Sequence, residues 1–347
     1  YKLVYVTNVS LEKLDASTSL TPELKKRLIG ECLYIRAWQY FILVNLFGDV
    51  PLCLSSDYRR NAEMPRSDAA IVWEQIISDL SGAADKLPES YALPERTVPN
   101  RFAAKALLAK CYLYQQKWDS VLVLCNQVAQ SGSYQLLPNM NAVFQRGSSE
   151  TLWQVASTST NRNSWEGFNF IPSSNNAAPG YVLRPELVNH FEANDQRKIN
   201  WLKQRTYAGN TLYYPFKYKV RTSTPPTEFQ VVMRYVEVLL MRAEANLQTN
   251  GVSSAIPDIN AIRLRAGLPI VDNTISSDSC MRLVIKERRS ELFAEWGNRW
   301  FDLKRWNLAN ELLAPLKGNG WQPTDVLYPI PQTQIDLNRN LEQNSGY

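Results

Sequence analysis

The sequence predicts a mainly α-helical protein, in which helical hairpins form a scaffold and a loop-rich, irregular region packs on it. Three observations carry that prediction. Long stretches repeat apolar residues every three or four positions, with capping residues where the pattern starts and Gly or Pro where it stops. Two well-separated segments read as pairs of helices with short joints. Between them, eleven of the 63 residues at 157–219 are aromatic, against 11% for the whole chain, yet they follow neither a helical nor a strand period.

The first long helix runs over about 22–47. Thr21 and Pro22 fit an N-cap and first turn, Leu24, Leu28, Cys32 and Ile35 continue the apolar spacing, and Gly48 and Pro51 stop it. A second begins at Ser67 and places Val72, Ile76, Leu80, Ala83 and Leu87 on one face before Pro88. Next, "RFAAKALLAKCYLYQQKWDSVLVLCNQVAQSGSY" reads as a hairpin of helices over 100–114 and 118–130, closed by Gly132. A comparable pair, "RYVEVLLMRAEANLQTNGVSSAIPDINAIRLRAGLP", follows later: Leu239, Leu240 and Arg242 stand where the first pair has Leu107, Leu108 and Lys110, and Gly267 closes it. Such units resemble tetratricopeptide repeats, with a loose match to that consensus. The scaffold is therefore placed at 20–132 and 233–267, within a single unit over 1–347, and the loop-rich candidate ligand region at 133–232. Apart from a short helix after Pro185, residues 157–219 read as long polar loops rich in aromatics. Loops of that length in a compact protein are commonly functional.

Composition narrows the function classes. With 45% hydrophobic and 20% charged residues, the 347-residue chain is expected to bury a large core. No apolar run approaches the roughly 18–20 residues of a bilayer span, and residues 1–10 lack the pattern of an export leader. The net charge of +5 is dispersed, which argues against nucleic acid as a partner. Cys32, Cys53, Cys111, Cys125 and Cys280 show no CxxC spacing, so neither a disulfide framework nor a zinc site is expected. His190 is the sole histidine, which leaves little for His-paired metal sites or catalytic triads. No catalytic residue, metal or cofactor is expected.

The stretch "ERRSELFAEWGNRWFDLKRW" (287–306) is the most unusual, with nine charged and five aromatic residues out of twenty. Met281, Ile285, Leu292 and Trp296 are spaced for one helical face, with Arg288 and Glu295 bordering it and Glu291 within reach of both. Gly297 is expected to interrupt the helix, after which Trp300, Leu303 and Trp306 repeat beside Arg299, Asp302 and Arg305. Glu287, Glu291, Glu295 and Asp302 could be read as glycosidase carboxylates. A pair on one helix face, however, has no claim to the opposed approach that chemistry requires. Mutual satisfaction of half-buried Arg and Glu where helices meet is the reading the spacing favours.

"NAIRLRAGLP", "IKERRSELFAEWGNRWFDLKRW" and the terminal "LYPIPQTQIDLNRNLEQNSGY" resemble, in order, the C-terminal signature of the SusD/RagB family, here 280–347. Upstream, "GECLYIRAWQYFILVNLFGDVPL", "MPRSDAAIVWEQIISDLSGAADKLP" and "VVMRYVEVLLMRAEANL" resemble that family's helical blocks. The resemblance implies a tetratricopeptide-like scaffold on a protein that is lipid-anchored at the cell surface of the outer membrane. It further implies a non-catalytic binding protein that delivers oligosaccharide or polysaccharide to a SusC-like TonB-dependent transporter. Tyr1 starts inside the family pattern, so the lipid anchor and an opening helix are expected outside this chain.

Sugar rings offer apolar C–H faces and a rim of hydroxyls, which suits aromatic platforms flanked by amides and charged groups. The candidate ligand-binding residues are Trp165 with Asn161, Arg162 and Asn163 before it, then Trp201, Tyr207, Tyr213 and Tyr214, and Tyr58 from "SSDYRR". The competing reading of each aromatic is ordinary packing of loop on helix. Two further functions remain open on the sequence: a peptide-capturing lid of the same kind of transporter, and an intracellular helical-repeat adaptor.

Overall fold

The computed structural model describes residues 1–159 and 161–347. In chain order its helices and strands are α1 (Lys2–Ala16), α2 (Pro22–Phe47), α3 (Tyr58–Ala62), α4 (Ala69–Lys86), α5 (Arg101–Tyr114), α6 (Trp118–Gln130), β1 (Thr151–Val155), α7 (Trp165–Phe170), α8 (Pro185–Val188), α9 (Gln196–Trp201), β2 (Leu202–Tyr207), β3 (Asn210–Pro215), β4 (Gln230–Arg234), α10 (Tyr235–Thr249), α11 (Val252–Arg265), α12 (Ser277–Leu292), α13 (Asn298–Arg305), α14 (Ala309–Lys317) and α15 (Gln332–Leu337). The protein is mainly helical, as its sequence predicts. The chain folds into two compact units. One comprises Tyr1–Ser90, Pro99–Gln115 and Trp300–Tyr347; the other comprises Tyr91–Val98 and Gln116–Arg299.

The first unit is built on α2. Thr21 accepts a hydrogen bond from Leu24 N at 3.3 Å and Pro22 occupies the first turn, so the helix starts where its capping residues predict. It stops at Gly48, whose φ of 72° suits glycine. Tyr34, Ala37, Phe41 and Val44 are buried at spacings of three and four, and α4 answers with Val72, Ile76, Leu80 and Ala83. Each buried Leu or Ile side chain contributes roughly 1.5–3 kcal/mol. Helix α4 packs on α2 and α5, and α1 packs on α2. The close approach depends on Gly30, where an added Cβ would lie 2.9 Å from Leu87 Cγ. Arg36 and Asp79 form a buried two-pronged pair between α2 and α4, at 2.8 and 2.7 Å. The C-terminal segment closes the end of α2. Tyr328 N donates to Leu46 O at 2.8 Å and Asn344 Nδ2 to Phe47 O at 3.0 Å, which satisfies carbonyls the helix itself cannot.

In the second unit α10 packs on α6, α11 and α12, so the helix pair expected at 233–267 is present. The pair expected at 100–130 is arranged differently. Helix α5 packs on the preceding α4 in the first unit, whereas α6 packs on α10, burying Val121, Cys125 and Val128. Chain adjacency suggested a partner that the apolar faces do not choose. The 157–219 region also contains more order than its sequence predicts. Strands β2 and β3 form an antiparallel hairpin from Leu202↔Pro215 to Tyr207↔Asn210. Its two-residue turn, Ala208–Gly209, has φ values of 48° and 78°, the positive pair that matches the twist of such strands. Strands β1 and β4 pair separately.

Helix α12 corrects the reading of the charged stretch. It ends at Leu292 rather than continuing to Trp296, and Ala294 and Trp296 adopt positive φ values of 54° and 42°. Its buried face is Cys280, Val284, Glu287, Arg288, Glu291 and Leu292, so the charges lie inside the fold instead of flanking an apolar stripe. Glu287 accepts from Arg197 at 2.6 Å and Arg263 at 2.8 Å. Glu291 accepts from Arg234 at 2.7 Å and also from Arg265. Glu295 takes Arg234 and Lys217, while Glu150 takes Arg234 at 2.8 Å and Arg265 at 3.0 Å. Asp195 completes the set by chelating Arg197 at 2.8 Å. Asp195, Glu150, Glu287, Glu291 and Glu295 thus face Arg197, Arg234, Arg263, Arg265 and Lys217, a neutral balance that makes burial of so many charges tolerable. Burial opposes ionisation of Glu291 and Glu295, but the arginines hold both carboxyls below the usual range. Carboxylates locked in this way are architectural, and Glu287, Glu291 and Glu295 are all engaged by cations rather than left free for the glycosidase reading.

Candidate functional site

The nine candidate residues divide by burial. Trp201 is fully buried: its ring meets Phe144 edge-on at 5.7 Å and its Nε1 donates to Met140 O at 3.1 Å. A large aromatic whose only polar handle is met by a carbonyl behaves as core. Tyr214 is also buried, and Tyr213 packs half-buried against the cluster that holds Trp201. Asn163 is buried too, its amide spent on the chain itself: Nδ2 donates to Val220 O at 3.2 Å, while Oδ1 accepts from Ser223 Oγ at 2.9 Å and Thr227 N at 2.8 Å. Trp201, Tyr214 and Asn163 present no open face, and Tyr213 presents only part of one. Asn161, Trp165 and Tyr207 are exposed, and Arg162 is half-buried. Tyr58 is exposed in the first unit.

Trp165 is the aromatic that the fold prepares best. It opens α7, which is capped by Ser164 Oγ accepting from Gly167 N at 2.9 Å. Gln230 on β4 accepts from Trp165 N at 3.1 Å, and Asn169 Nδ2 donates to Trp165 O at 2.7 Å. Gly167 allows the helix to sit against the 218–220 segment, since a Cβ there would lie 3.0 Å from Val220 O. The backbone beneath the indole is therefore held on three sides while 54% of the residue stays open to solvent. Tyr181, itself 50% exposed, lies beside it with ring centroids 6.5 Å apart and planes inclined at 53°. Phe170 backs Tyr181 edge-on at 5.3 Å.

One helical turn from Trp165, the Phe168 ring carries two guanidiniums, with Arg162 Cζ at 4.1 Å and Arg221 Cζ at 3.9 Å from its centroid. The arginine-bearing segments are joined by an antiparallel bridge, Arg162↔Thr222, and by Ser223 N donating to Asn161 O at 2.9 Å. Glu166, next to the indole, points inward. Burial pushes its carboxyl up to about 8, with Glu295 adding to the effect and Lys217 opposing it. The candidates drawn from the sequence include Trp165 and Arg162 but not Tyr181, Phe168 or Arg221. The i to i+3 spacing of Trp165 and Phe168 was a local signal. Tyr181 and Arg221 come to the site through chain reversals that leave no periodicity.

Two concavities lie elsewhere. In the first unit, a cavity of about 850 Å³ is lined by Tyr1, Tyr5, Phe47, Tyr58 and Leu337 among others. In the second, a more polar one of about 550 Å³ is bordered by Asn141, Gln145, Arg146 and Lys219. Among the described residues, no group of three or more His, Cys, Asp or Glu side chains is arranged to hold a metal ion. His190 is half-buried, with Nε2 3.2 Å from Lys286 O, and burial lowers its pKa to about 4. All five cysteines are free. Among the described residues, no helix is long and apolar enough to cross a membrane.

Comparison with known proteins places this architecture. The SusD family model matches residues 209–347, and a second model, described as starch-binding and associating with the outer membrane, matches residues 1–113. The SusD-like protein P25 of Formosa agariphila is 23% identical over 414 residues, an alignment that spans 100% of this chain and 78% of that protein. A SusD superfamily protein from Bacteroides vulgatus shares the fold with a TM-score of 0.86 at 22% identity, over 99% of this chain and 83% of that one. A laminarin-binding SusD-like protein of known structure gives a TM-score of 0.83 at 25% identity, over 99% and 84% of the respective chains. Family signatures at both ends of the sequence, a relative aligned along all of it and the shared helical fold agree, and the chain belongs to the SusD/RagB family.

Proposed function

We propose that this protein is a non-catalytic, cell-surface glycan-binding protein that captures oligosaccharide or polysaccharide and delivers it to a SusC-like TonB-dependent transporter in the outer membrane, to which a lipid anchor outside this chain attaches it. The observation that carries the reading is the Trp165–Tyr181 pair: two open aromatic faces, inclined at 53°, on backbone fixed by Ser164, Gln230 and Asn169. Inclined faces follow the curve of a glycan chain, and pre-fixed backbone limits the entropy lost on binding. Donors of Asn161, Arg162 and Arg221 lie on the neighbouring segments, where hydroxyl groups at a sugar's edge would meet them. A laminarin-binding relative of the same fold supports a sugar ligand, and the outer-membrane description of the matching family model supports the location.

The test is isothermal titration against plant, host and microbial polysaccharides, using this chain and a Trp165→Ala, Tyr181→Ala variant. A polysaccharide bound by the parent and lost by the variant, with helical circular dichroism unchanged, is the expected result. Binding that survives the double substitution would move the site elsewhere, and the cavity beside Tyr58 would be examined next.

A further inference from the structure

The arginines beside the platform narrow the ligand class. Arg162 and Arg221 both stack on Phe168, yet neither guanidinium has a hydrogen-bonding or ionic partner among the described residues, and the Nε of each is buried without one. Elsewhere in the same unit, the guanidiniums of Arg197, Arg234, Arg263 and Arg265 are all taken by carboxylates. Buried polar groups left unmet in a folded protein call for an explanation, and one explanation is a ligand. Stacking on an aromatic face leaves the in-plane N–H edge of a guanidinium free, and that edge is the fork that matches a carboxylate or sulfate.

Among the described residues, no carboxylate neutralises the pair. Glu166 is coupled inward to Glu295 and Lys217, Glu228 accepts from the Lys219 and Val220 amides, and Asn163 is consumed by the 220–227 segment. The two cations are held in register by the Arg162↔Thr222 bridge. Phe168 lies one helical turn from Trp165, where side chains are roughly 5–6 Å apart at Cβ. A ring resting on Trp165 would turn its edge toward Phe168 and the two guanidiniums stacked on it.

We infer that the Trp165–Tyr181 platform is built for an acidic glycan, whose carboxylate or sulfate ester is received by Arg162 and Arg221. This rests on the glycan-binding reading and adds the chemical class of the sugar.

Matched polymers separate the two statements. De-esterified homogalacturonan is compared with its fully methyl-esterified form for the carboxylate, and a sulfated galactan with its desulfated form for the sulfate, by titration at low and physiological salt. The expected result is at least tenfold tighter binding of one acidic member than of its neutral counterpart. An Arg162→Gln, Arg221→Gln variant is expected to erase that difference, and Trp165→Ala to weaken both members of the pair. An Arg162→Lys, Arg221→Lys variant, which keeps the charge and loses the fork, is expected to retain only part of the preference. It also serves if the Gln variant does not fold. Equal affinity for acidic and neutral members would overturn the acidic class while leaving glycan binding intact, as would a preference that persists without the arginines. No binding to any of the four would overturn the acidic class, and the wider polysaccharide panel then decides the glycan-binding reading separately.

Discussion

Arg234 grips Glu295 with two parallel hydrogen bonds of 3.0 Å, from Nε and Nη2, at a site where the arginine is 1% exposed. The same guanidinium reaches Glu291 at 2.7 Å and Glu150 at 2.8 Å through Nη1, so one side chain from the end of β4 compensates three carboxylates. Removing it would strand buried negative charge. Arg234→Ala is therefore expected to lose about 3–5 kcal/mol in urea denaturation, the range for breaking a buried pair from one side. A loss below about 1 kcal/mol would mean that the network is not held together by this residue.

The network should also set the acid limit of the protein. Arg263 hydrogen-bonds lower the Glu192 carboxyl to about 2, and the arginines around Glu291 and Glu295 hold theirs below the usual range against the effect of burial. In the unfolded chain these groups titrate near 4.3. Stability from a depressed carboxyl is fully present above that value and is lost as pH falls through the folded one. The midpoint of urea unfolding should therefore hold between pH 7 and 5 as far as these groups are concerned, then decline steadily from pH 4.5 to 2.5. A flat profile over the acidic range would contradict ionised glutamates in the core.

Two tryptophans from the same candidate set should behave in opposite ways. Trp201→Ala empties a fully buried site and is expected to destabilise the protein by about 3–5 kcal/mol, a general loss with no selectivity for ligand. Trp165→Ala changes an exposed face and is expected to alter stability by no more than about 0.5 kcal/mol while removing binding. Thermal melts and titrations on the two single variants check this. Large destabilisation by Trp165→Ala would return that residue to the core.

How much of the fold was legible follows from the range over which each signal acts. Helix α2 declares itself locally, through Thr21, Pro22, the three-and-four spacing and Gly48, and its observed bounds agree with the sequence. Trp118 and Gln130 likewise bound α6 as expected, but the partner of α6 is chosen by faces far apart in sequence. The charged stretch was legible as architecture. Its cations were not, because Arg197, Arg234 and Lys217 lie 57 to 94 residues before the glutamates they meet, Glu291 and Glu295, and only the fold brings them in. Among the site residues, composition could not separate Trp165 from Trp201: both follow polar stretches of sequence, and Trp201 is buried in a cluster that includes Met140 and Phe144. The β2–β3 hairpin stayed hidden because its turn is Ala208–Gly209, without the Asn or Asp that marks such turns.

Glu166 offers a last, independent check on how the platform is seated. Its carboxyl is buried, its Oε2 has no hydrogen-bond partner among the described residues, and its pKa is pushed up to about 8, chiefly by desolvation. Glu295 raises it further, Lys217 opposes, and the buried Tyr218 hydroxyl is electrostatically coupled to it. The folded state therefore keeps a proton that the unfolded chain gives up near 4.3. Between about pH 4.5 and 8 the native state binds more protons than the unfolded one, so this group makes stability fall as pH rises, and above pH 8 its effect levels off. Glu166→Gln removes the titration while keeping the shape. The variant should match the parent at pH 5 and exceed it by pH 8, by on the order of 1–4 kcal/mol, since each tenfold difference in proton affinity between the folded and unfolded states is worth about 1.4 kcal/mol. Glycan binding through the adjacent Trp165 should be unchanged in the variant at pH 6, because the parent's carboxyl is already neutral there. Parallel stability curves for the two proteins from pH 5 to 8 would show that Glu166 is ionised in the fold, and that the segment carrying Trp165 is anchored by Ser164, Gln230 and Asn169 against a buried charge.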